Sequence, residues 1–443
     1  MNYKIGIRRE DKYFLERRTP LAPKHVKHLA DNEKLEVIVE QASGRVFSHE
    51  DFINAGATVS DNLDGVPVIF GVKEIPVERF DRGKTYVFFS HVVKGQSYNM
   101  PMLNRMKELK CNLIDYEKIE DEQGRRLIFF GHYAGVAGMI NTLWGLGMRL
   151  KHKGYETPLL RIHQAHTYNS LNEAKALISE VGYEIAEKGF PEGLAPVTIG
   201  FTGYGNVSRG AQEILCLLPA KEITPEELLA LKGRKKHPNN IFYKVVFEER
   251  HLVRPVDPAK GFELQDYYQN PQNYTSIFEY YVPHLSVLMN CMYWDERYPK
   301  LITKDFLKRL FSKEEPRLLI IGDITCDVNG SVESTVKATE IQDPLYVYDP
   351  FTDDITMGHE GQGILTMAVD ILPSELPRES SIAFGDALID FVPSIATADY
   401  NAPFMELQLP TPVKKALILY KGEFTPDYQY LGKYLQDSNA KPK

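Results

Sequence analysis

Two short stretches place ionisable side chains where an enzyme would need them. PVIFGVKEIP sets Lys73 and Glu74 just beyond an apolar run, and TYVFFSHVVKGQ sets His91 and Lys94 beyond the next. If both runs are strands of one parallel sheet, these residues stand outside neighbouring carboxyl ends, where ligands of open α/β sheets bind. A lysine in partly buried, cationic surroundings loses proton affinity and becomes usable as a base. Histidine titrates near neutrality unaided. Position alone leaves open the bland alternatives, a solvated loop cation for Lys73 and a hydrogen-bonded core residue for His91.

Other candidates lie elsewhere in the same part of the chain, Arg18 after the first strand. Arg18 in ERRTPLAP, and Arg125 and Arg126 in DEQGRRLIFFG, carry planar guanidinium groups suited to carboxylates and phosphates. Without further context they read as surface arginines. Glu117, after LIDY, either receives a substrate ammonium or caps a loop. Patterns for metal ligation (H-x-x-H, H-E-x-x-H), a G-x-S-x-G nucleophile and a Walker A loop are all missing.

A second kind of chemistry is carried by VTIGFTGYGNVSRGAQEILCLL, from Val197 to Leu218. An apolar run breaks at Gly203 and Gly205, then resumes with helical spacing. Strand, glycine turn and helix are the order that brings a dinucleotide pyrophosphate onto backbone N–H groups at a helix N-terminus, here Asn206, Val207 and Ser208, the bland alternative being an ordinary Gly-rich βα turn. Gly203 permits the turn, and Gly205 lets the backbone approach the phosphates. The third glycine of G-x-G-x-x-G is replaced by Ser208, with Gly210 two positions on. In IIGDITCD, Asp323, Ile324 and Thr325, then Asp327, follow a strand of the same domain, where a nicotinamide ribose would sit.

These residues need two parallel sheets to position them. Strands are expected at Tyr3–Ile7, Glu36–Val39, Val66–Phe70, Thr85–Phe89 and Asn112–Ile114, alternating with helical PKHVKHLADN, HEDFINAG and MPMLNRMKELK. Short buried strands alternating with helices indicate a doubly wound parallel sheet. Ala134–Gly154 reads as a long helix crossing into a second domain. That domain holds the glycine loop and strands at Tyr243–Phe247, Leu285–Met289 and Arg317–Ile321. The basic run from Lys232 to His237 reads as a solvated insertion. GQGILTMAVDILPSELPRESS reads as a second long helix returning the chain to the first domain. The expected division is 1–134 with 373–443 for substrate, and 135–372 for the dinucleotide. The tail QDSNAKPK reads as frayed.

Composition narrows the class. A chain of 443 residues exceeds one compact core. A net charge of −8 argues against a nucleic-acid partner. MNYKIGIRRE lacks the apolar core of a signal peptide, and no apolar run approaches the roughly 20 residues that span a bilayer. Cys111, Cys216, Cys291 and Cys326 are scattered, as reduced thiols of a cytoplasmic protein would be. Oligomeric state and physiological direction are not encoded in these motifs.

Taken in order, ERRTPLAPKHV, GVKEIP, FFSHVVKGQ, LIDYEKI, GRR, AGVAGMINTL, FTGYGNVSRGAQ and LPSELPRESS closely resemble lysine–oxoglutarate reductase. This is the saccharopine-forming N-terminal domain of aminoadipic semialdehyde synthases. More distantly the chain is similar to yeast-type saccharopine dehydrogenase, alanine dehydrogenase and the transhydrogenase nucleotide-binding subunit. The resemblance implies two Rossmann-like domains with an active-site cleft between them, and the small-molecule substrates L-lysine, 2-oxoglutarate and L-saccharopine. It places the acid/base pair on Lys73 and His91, and substrate carboxylates on Arg18 and Lys94. Glu74 and Glu117 would tune the site, and Arg125 and Arg126 would lie beside the cofactor. Ile371 stands where relatives are usually polar, and Ser380 replaces an alanine. The fused enzymes continue where this chain stops, so the expected product is saccharopine itself. Another amino-acid dehydrogenase of the superfamily is the alternative enzyme; a non-catalytic nucleotide sensor would need neither Lys73 nor His91.

Cofactor identity is balanced between two expectations. Relatives of the fused type favour NADPH, whose 2′-phosphate needs a cation. Here YKVVF is followed by Glu248, Glu249 and Arg250. A carboxylate at that place receives the 2′-hydroxyl of NAD and repels the phosphate, so NADP(H) and NAD(H) are equally expected.

Overall fold

The computed structural model describes residues 3–233, 236–313 and 315–438. Arg234 and Lys235 of the basic run, Asn439–Lys443 of the tail, and Met1 and Asn2 of the opening segment lie outside the described residues.

The chain begins with β1 Lys4–Ile7, α1 Pro23–Asn32, β2 Glu36–Glu40, α2 His49–Asn54, β3 Thr58–Ser60, β4 Val68–Phe70, β5 Thr85–Phe88, α3 Met100–Glu108 and β6 Asn112–Asp115. There follow α4 Gly131–His152, α5 Leu171–Lys188, β7 Val197–Thr202, α6 Asn206–Leu215, β8 Ala220–Glu222 and β9 Phe242–Phe247. The small pair β10 Val253–Pro255 and β11 Tyr274–Ser276 precedes β12 Val287–Asn290 and β13 Ile320–Asp323. Then come β14 Leu345–Asp349, β15 Asp354–Met357, β16 Ile364–Met367, β17 Leu417–Tyr420 and β18 Glu423–Phe424. Two compact units result: Met1–Phe130 with Pro377–Lys443, and Gly131–Leu376. The expected divisions at 134 and 372 stand against 130 and 376 here. Helix α4 starts at Gly131 rather than Ala134, and helix Pro377–Leu388 opens the returning segment.

Unit 1 is built on a sheet of order β18-β17-β6-β5-β4-β1-β2-β3. Strands β1 to β6 are parallel, while β17 and β18 add an antiparallel edge. The parallel strands fall in the order of a doubly wound dinucleotide-type sheet, whose chain reversal lies between β1 and β4. Strands β4, β5 and β6 are buried at every position, because helices cover both faces. Their sequences therefore read as continuous apolar runs. Pro23, at the first position of α1, has the φ that a helix start requires and no N–H to leave unpaired. Ser48 caps α2 by accepting from the Asp51 N–H at 3.1 Å.

Unit 2 has the order β15-β14-β16-β13-β12-β7-β9-β8, with β14 and β15 antiparallel. The exposed strand β8 precedes β9 in the chain but lies outside it, so β9 pairs directly with β7. This sheet reverses between β7 and β12, at the glycine loop.

One expectation is overturned. GQGILTMAVDILPSELPRESS is not a helix throughout: Ile364–Met367 is strand β16, buried at all four positions between β13 and β14. A 3-10 turn, Leu372–Glu375, follows, and helix begins only at Pro377. A short apolar run fits a buried strand and a buried helix equally well by periodicity. Pairing with β13 decides it.

Helix α4 is apolar nearly all round, and it is buried along most of its length. It crosses α6 at glycines: a Cβ on Gly135 would overlap the Val207 carbonyl, and one on Gly210 would overlap the His132 carbonyl. Gly210 thus serves helix packing. Gly210→Ala should cost about 3 kcal/mol, the upper part of the range for overpacking, whereas Gly205, with open space around its Cβ position, should accept alanine with little loss. Comparing the denaturation midpoints of the two variants checks this; equal midpoints would remove the packing role of Gly210.

Candidate active site

In unit 1 the loops after β1, β4, β5 and β6 leave the sheet at the same side and carry nearly every expected residue. The β4 loop is set first. Glu10, buried beyond β1, accepts the N–H groups of Val72 at 2.8 Å and Lys73 at 2.9 Å. Burial raises its pKa, partly offset by Arg8. The backbone that presents Lys73 and Glu74 is therefore held by a carboxylate from the neighbouring strand's loop.

Two further carboxylates organise the cations. Glu16 takes Arg18 through Nε at 2.7 Å and a terminal nitrogen at 2.5 Å, both residues being buried. Burial pushes the Glu16 pKa up, but Arg18 and then Lys73 hold the carboxyl below its ordinary value. Glu74 lies 2.9 Å from His91 Nδ1 and 2.6 Å from Lys12 Nζ. Burial again opposes ionisation, and His91 followed by Lys12 overrides it, keeping Glu74 well below the usual carboxylate range. The result is an alternation of charge, Arg18–Glu16–Lys73 beside Lys12–Glu74–His91.

His91 has φ of 48°, a left-handed conformation uncommon outside glycine. Asn99 supports it, donating to the Ser90 carbonyl at 3.0 Å, the His91 carbonyl at 3.2 Å and Glu74 at 3.4 Å. The imidazole stacks on Phe89. Beneath, Ser90 donates to Asp115, whose other oxygen accepts the Glu117 N–H at 2.8 Å. Burial pushes Asp115 up to about 6, and those hydrogen bonds only partly offset it. The returning segment completes the loop after β1: Ser381 accepts the Thr19 N–H at 3.0 Å, and Phe384 stacks on Phe130, over which Arg18 lies at 4.2 Å. Ser380 is buried in the same helix turn.

Lys94, Glu117 and Arg126 line a separate cavity of about 600 Å³ in this unit, together with Tyr428 and Tyr430. Arg126 pairs with Glu117, and Tyr430 donates to the Val93 carbonyl at 2.6 Å. Arg125 is highly exposed and engages Asp121 at 2.7 Å. Residues the motif reading did not single out, Glu10, Lys12, Glu16, Asn99 and Asp115, hold the others in place. Lys12 and Glu16 lie just past β1, so the rule that singled out Lys73 would have reached them.

In unit 2, β7 ends in Gly203, with φ of 80°, and Gly205 sits at the N-cap of α6. No side chain caps α6, so the first-turn N–H groups of Asn206, Val207 and Ser208 keep their capacity for an anion. Open space around Gly205 fits a pyrophosphate approaching the backbone. Ser208 itself is buried and accepts from Gln212 at 2.9 Å. Glu248 follows β9, the direct neighbour of β7, and pairs with Arg250 at 2.9 Å. Glu249 instead accepts the hydroxyls of Tyr204 at 3.2 Å and Tyr268 at 2.6 Å. Asp323 is buried, accepting from Asn290 at 2.8 Å and Thr335 at 2.6 Å, and burial pushes it up to about 6. Thr325 bonds the Met292 carbonyl, and Ile324 lies against Gly138 of α4. Among the described residues no helix is long and apolar enough to cross a membrane.

The comparisons agree with the motifs. Residues 6–137 match the family described as alanine dehydrogenase/PNT, N-terminal domain. The chain is 40% identical over 442 residues to an alpha-aminoadipic semialdehyde synthase of Arabidopsis thaliana, covering 96% of this chain and 41% of that protein. It is 35% identical over 445 residues to the mitochondrial enzyme of that name from Rattus norvegicus, covering 97% and 47%. A saccharopine dehydrogenase [NAD(+), L-lysine-forming] of Yarrowia lipolytica is 26% identical over 396 residues, covering 87% and 90%. The chain spans less than half the length of the Arabidopsis and rat relatives. The solved structure of an L-alanine dehydrogenase superposes with a TM-score of 0.62 at 16% identity, over 98% of this chain and 99% of that one, which shows a shared fold. The expected resemblance is therefore shown: nearly the whole chain is related to the alpha-aminoadipic semialdehyde synthases, on the alanine dehydrogenase/transhydrogenase fold.

The Glu74 pKa is lowered on folding, so its stabilisation is present above the unfolded carboxyl value, about 4.5, and is lost as pH falls below it. Glu74→Gln should be less stable than the parent at pH 7, by on the order of 1–3 kcal/mol for leaving buried partners unpaired. The gap should shrink below about pH 4. Denaturant titrations of both proteins at pH 7 and pH 3.5 test it, and a pH-independent gap would contradict the assigned ion pairs.

Proposed function

We propose that this relative of the alpha-aminoadipic semialdehyde synthases is a lysine–2-oxoglutarate reductase. It condenses L-lysine with 2-oxoglutarate, using NAD(P)H and a proton, to give L-saccharopine, NAD(P)⁺ and water. The observation that carries this reading is the pairing of near-full-length similarity with Lys73 and His91 at adjacent strand ends, each charge-coupled to a buried glutamate. The neutral ε-amine of lysine attacks the keto carbon, and the carbinolamine loses water to leave an imine. His91 gives the proton that lets water depart, with Glu74 holding its other ring edge. A dinucleotide held at Gly203, Gly205 and the first turn of α6 would supply the hydride for the imine carbon. Lys73 then protonates the new secondary amine, and in the reverse direction removes that proton.

Arg18 and Lys94 bind substrate carboxylates in this reading. Glu16 already takes two nitrogens of Arg18, so a substrate carboxylate there shares the guanidinium with it. Glu117 balances the cations around Lys94 and Arg126. The glycine loop, with Gly203, Gly205 and the first turn of α6, holds the pyrophosphate; Arg125 and Arg126 approach the cofactor, and Asp323, Ile324 and Thr325 shape the nicotinamide ribose side. The buried Asp323 acts there through Asn290 and Thr335 rather than by direct contact. The four free thiols support a reducing compartment such as the cytoplasm; the rat relative's name assigns that protein to mitochondria.

Cofactor oxidation should require both lysine and 2-oxoglutarate, with omission of either abolishing it. Turnover in Lys73→Met should fall roughly 100- to 10,000-fold, as for loss of a general acid–base group, with cofactor affinity unchanged. Near-native turnover across the pH range would remove Lys73 from the mechanism, and cofactor binding without turnover on any amino acid and oxo acid would favour a sensor.

Glu248, placed at the end of the strand beside β7, favours NADH, and Arg250 beside it favours NADPH. If Glu248 receives the ribose, the protein prefers NADH and Glu248→Ser shifts preference toward NADPH. An NADPH preference lost in Arg250→Ala would assign the ribose to Arg250 instead.

A further inference from the structure

Unit 2 carries a cavity of about 760 Å³ that the proposed reaction does not use. Val197 opens β7, Ser286 precedes β12 and Leu319 precedes β13, and all three line it, so it lies at the amino ends of these strands. The six residues of β7 put it roughly 20 Å from the glycine loop at the strand's other end. Polar and apolar groups share its lining, the apolar part including the half-buried Tyr155, Leu310 and Leu319.

Its rim is basic. Lys153 is paired with Glu315, and Arg309 with Glu279. Lys232, Lys313 and Arg317 also line the cavity, and among the described residues none of the three has a carboxylate within ion-pair distance. Helix carbonyls near Lys232 and Lys313 attract cations there, but Arg317 lies in the loop entering β13, oriented by a 2.8 Å bond to the Pro196 carbonyl. Nearby His284 feels the same field: its pKa is lowered by burial, then by Lys232 and Arg317. In a chain of net charge −8, cations gathered on a cavity with apolar groups in its lining call for a counter-anion with an apolar body.

We propose that this cavity is a second binding site, for an organic phosphate with an aromatic body: the phosphate dianion lies among Lys232, Lys313 and Arg317, and the body lies against Tyr155, Leu310 and Leu319. The site is independent of the reaction proposed above and would be read by binding, not by turnover. The probe is AMP, titrated calorimetrically into protein saturated with NADH and, separately, NADPH, so that the glycine loop is occupied. One AMP per chain should bind, and adenosine and inorganic phosphate should each bind at least about tenfold more weakly, since each lacks one half of the recognition. Lys232→Glu with Lys313→Glu should weaken AMP at least about tenfold while cofactor binding persists. Loss of AMP binding on cofactor saturation, adenosine or phosphate binding as tightly as AMP, or an unchanged affinity in the double variant would each overturn the proposal.

Discussion

The candidate chemistry of unit 1 depends on two glutamates ionised where burial alone would neutralise them. Glu16 and Glu74 stay charged because each is shared between two basic groups. A buried carboxylate is costly unless paired and hydrogen-bonded. Pairing therefore fixes Arg18 and Lys73 around one glutamate and Lys12 and His91 around the other. In the proposed reaction, Lys73 and His91 move protons and Arg18 meets a carboxylate. Asp115 and Glu10 show the contrasting case: with backbone and hydroxyl donors but less cationic charge, their pKa values rise. These two are supports, one under His91 and one under Lys73.

The strain at His91 belongs to the same arrangement. A left-handed residue other than glycine is retained where its surroundings over-determine it. Here Asn99 takes both carbonyls at the bend, and Glu74 takes the ring. The backbone conformation turns the imidazole back toward the β4 loop, which is how groups from adjacent strands come to share one carboxylate.

Unit 2 meets a different constraint, close approach. Helices α4 and α6 cross with backbone against backbone, and Gly135 and Gly210 are small enough to allow it. The glycine usually found at the third position of the dinucleotide loop contributes to packing of this kind; in this chain the contact falls two residues later, and Ser208 is buried where the shorter spacing would have put it. The strand order β8-β9-β7 likewise keeps β9 beside β7 despite the segment between them. Glu248 therefore stands at the end of the strand beside β7 by pairing rather than by sequence distance.

Much of this was legible in the residues themselves. Continuous apolar runs bounded by glycine and charge identified the parallel strands, because strands covered on both faces have no polar alternation to confuse them. The rule that ligands gather beyond carboxyl ends singled out Lys73, Glu74, His91 and Lys94, and the loop at Gly203 and Gly205 declared itself by its flanks. What the residues could not decide was anything set by partners distant in the chain. Ile364–Met367 became a strand only because β13 offered an edge, since a short apolar run has no period of its own. Asn99, Glu10 and Lys12 took their places through hydrogen bonds and charge across the sheet's loops, and Asp323 was drawn inside by Asn290 and Thr335. Composition and local pattern determined most of the elements that form; only tertiary packing decided the rest of them and which charges neutralise one another, because that depends on distance in space and on burial, and neither is written in sequence order.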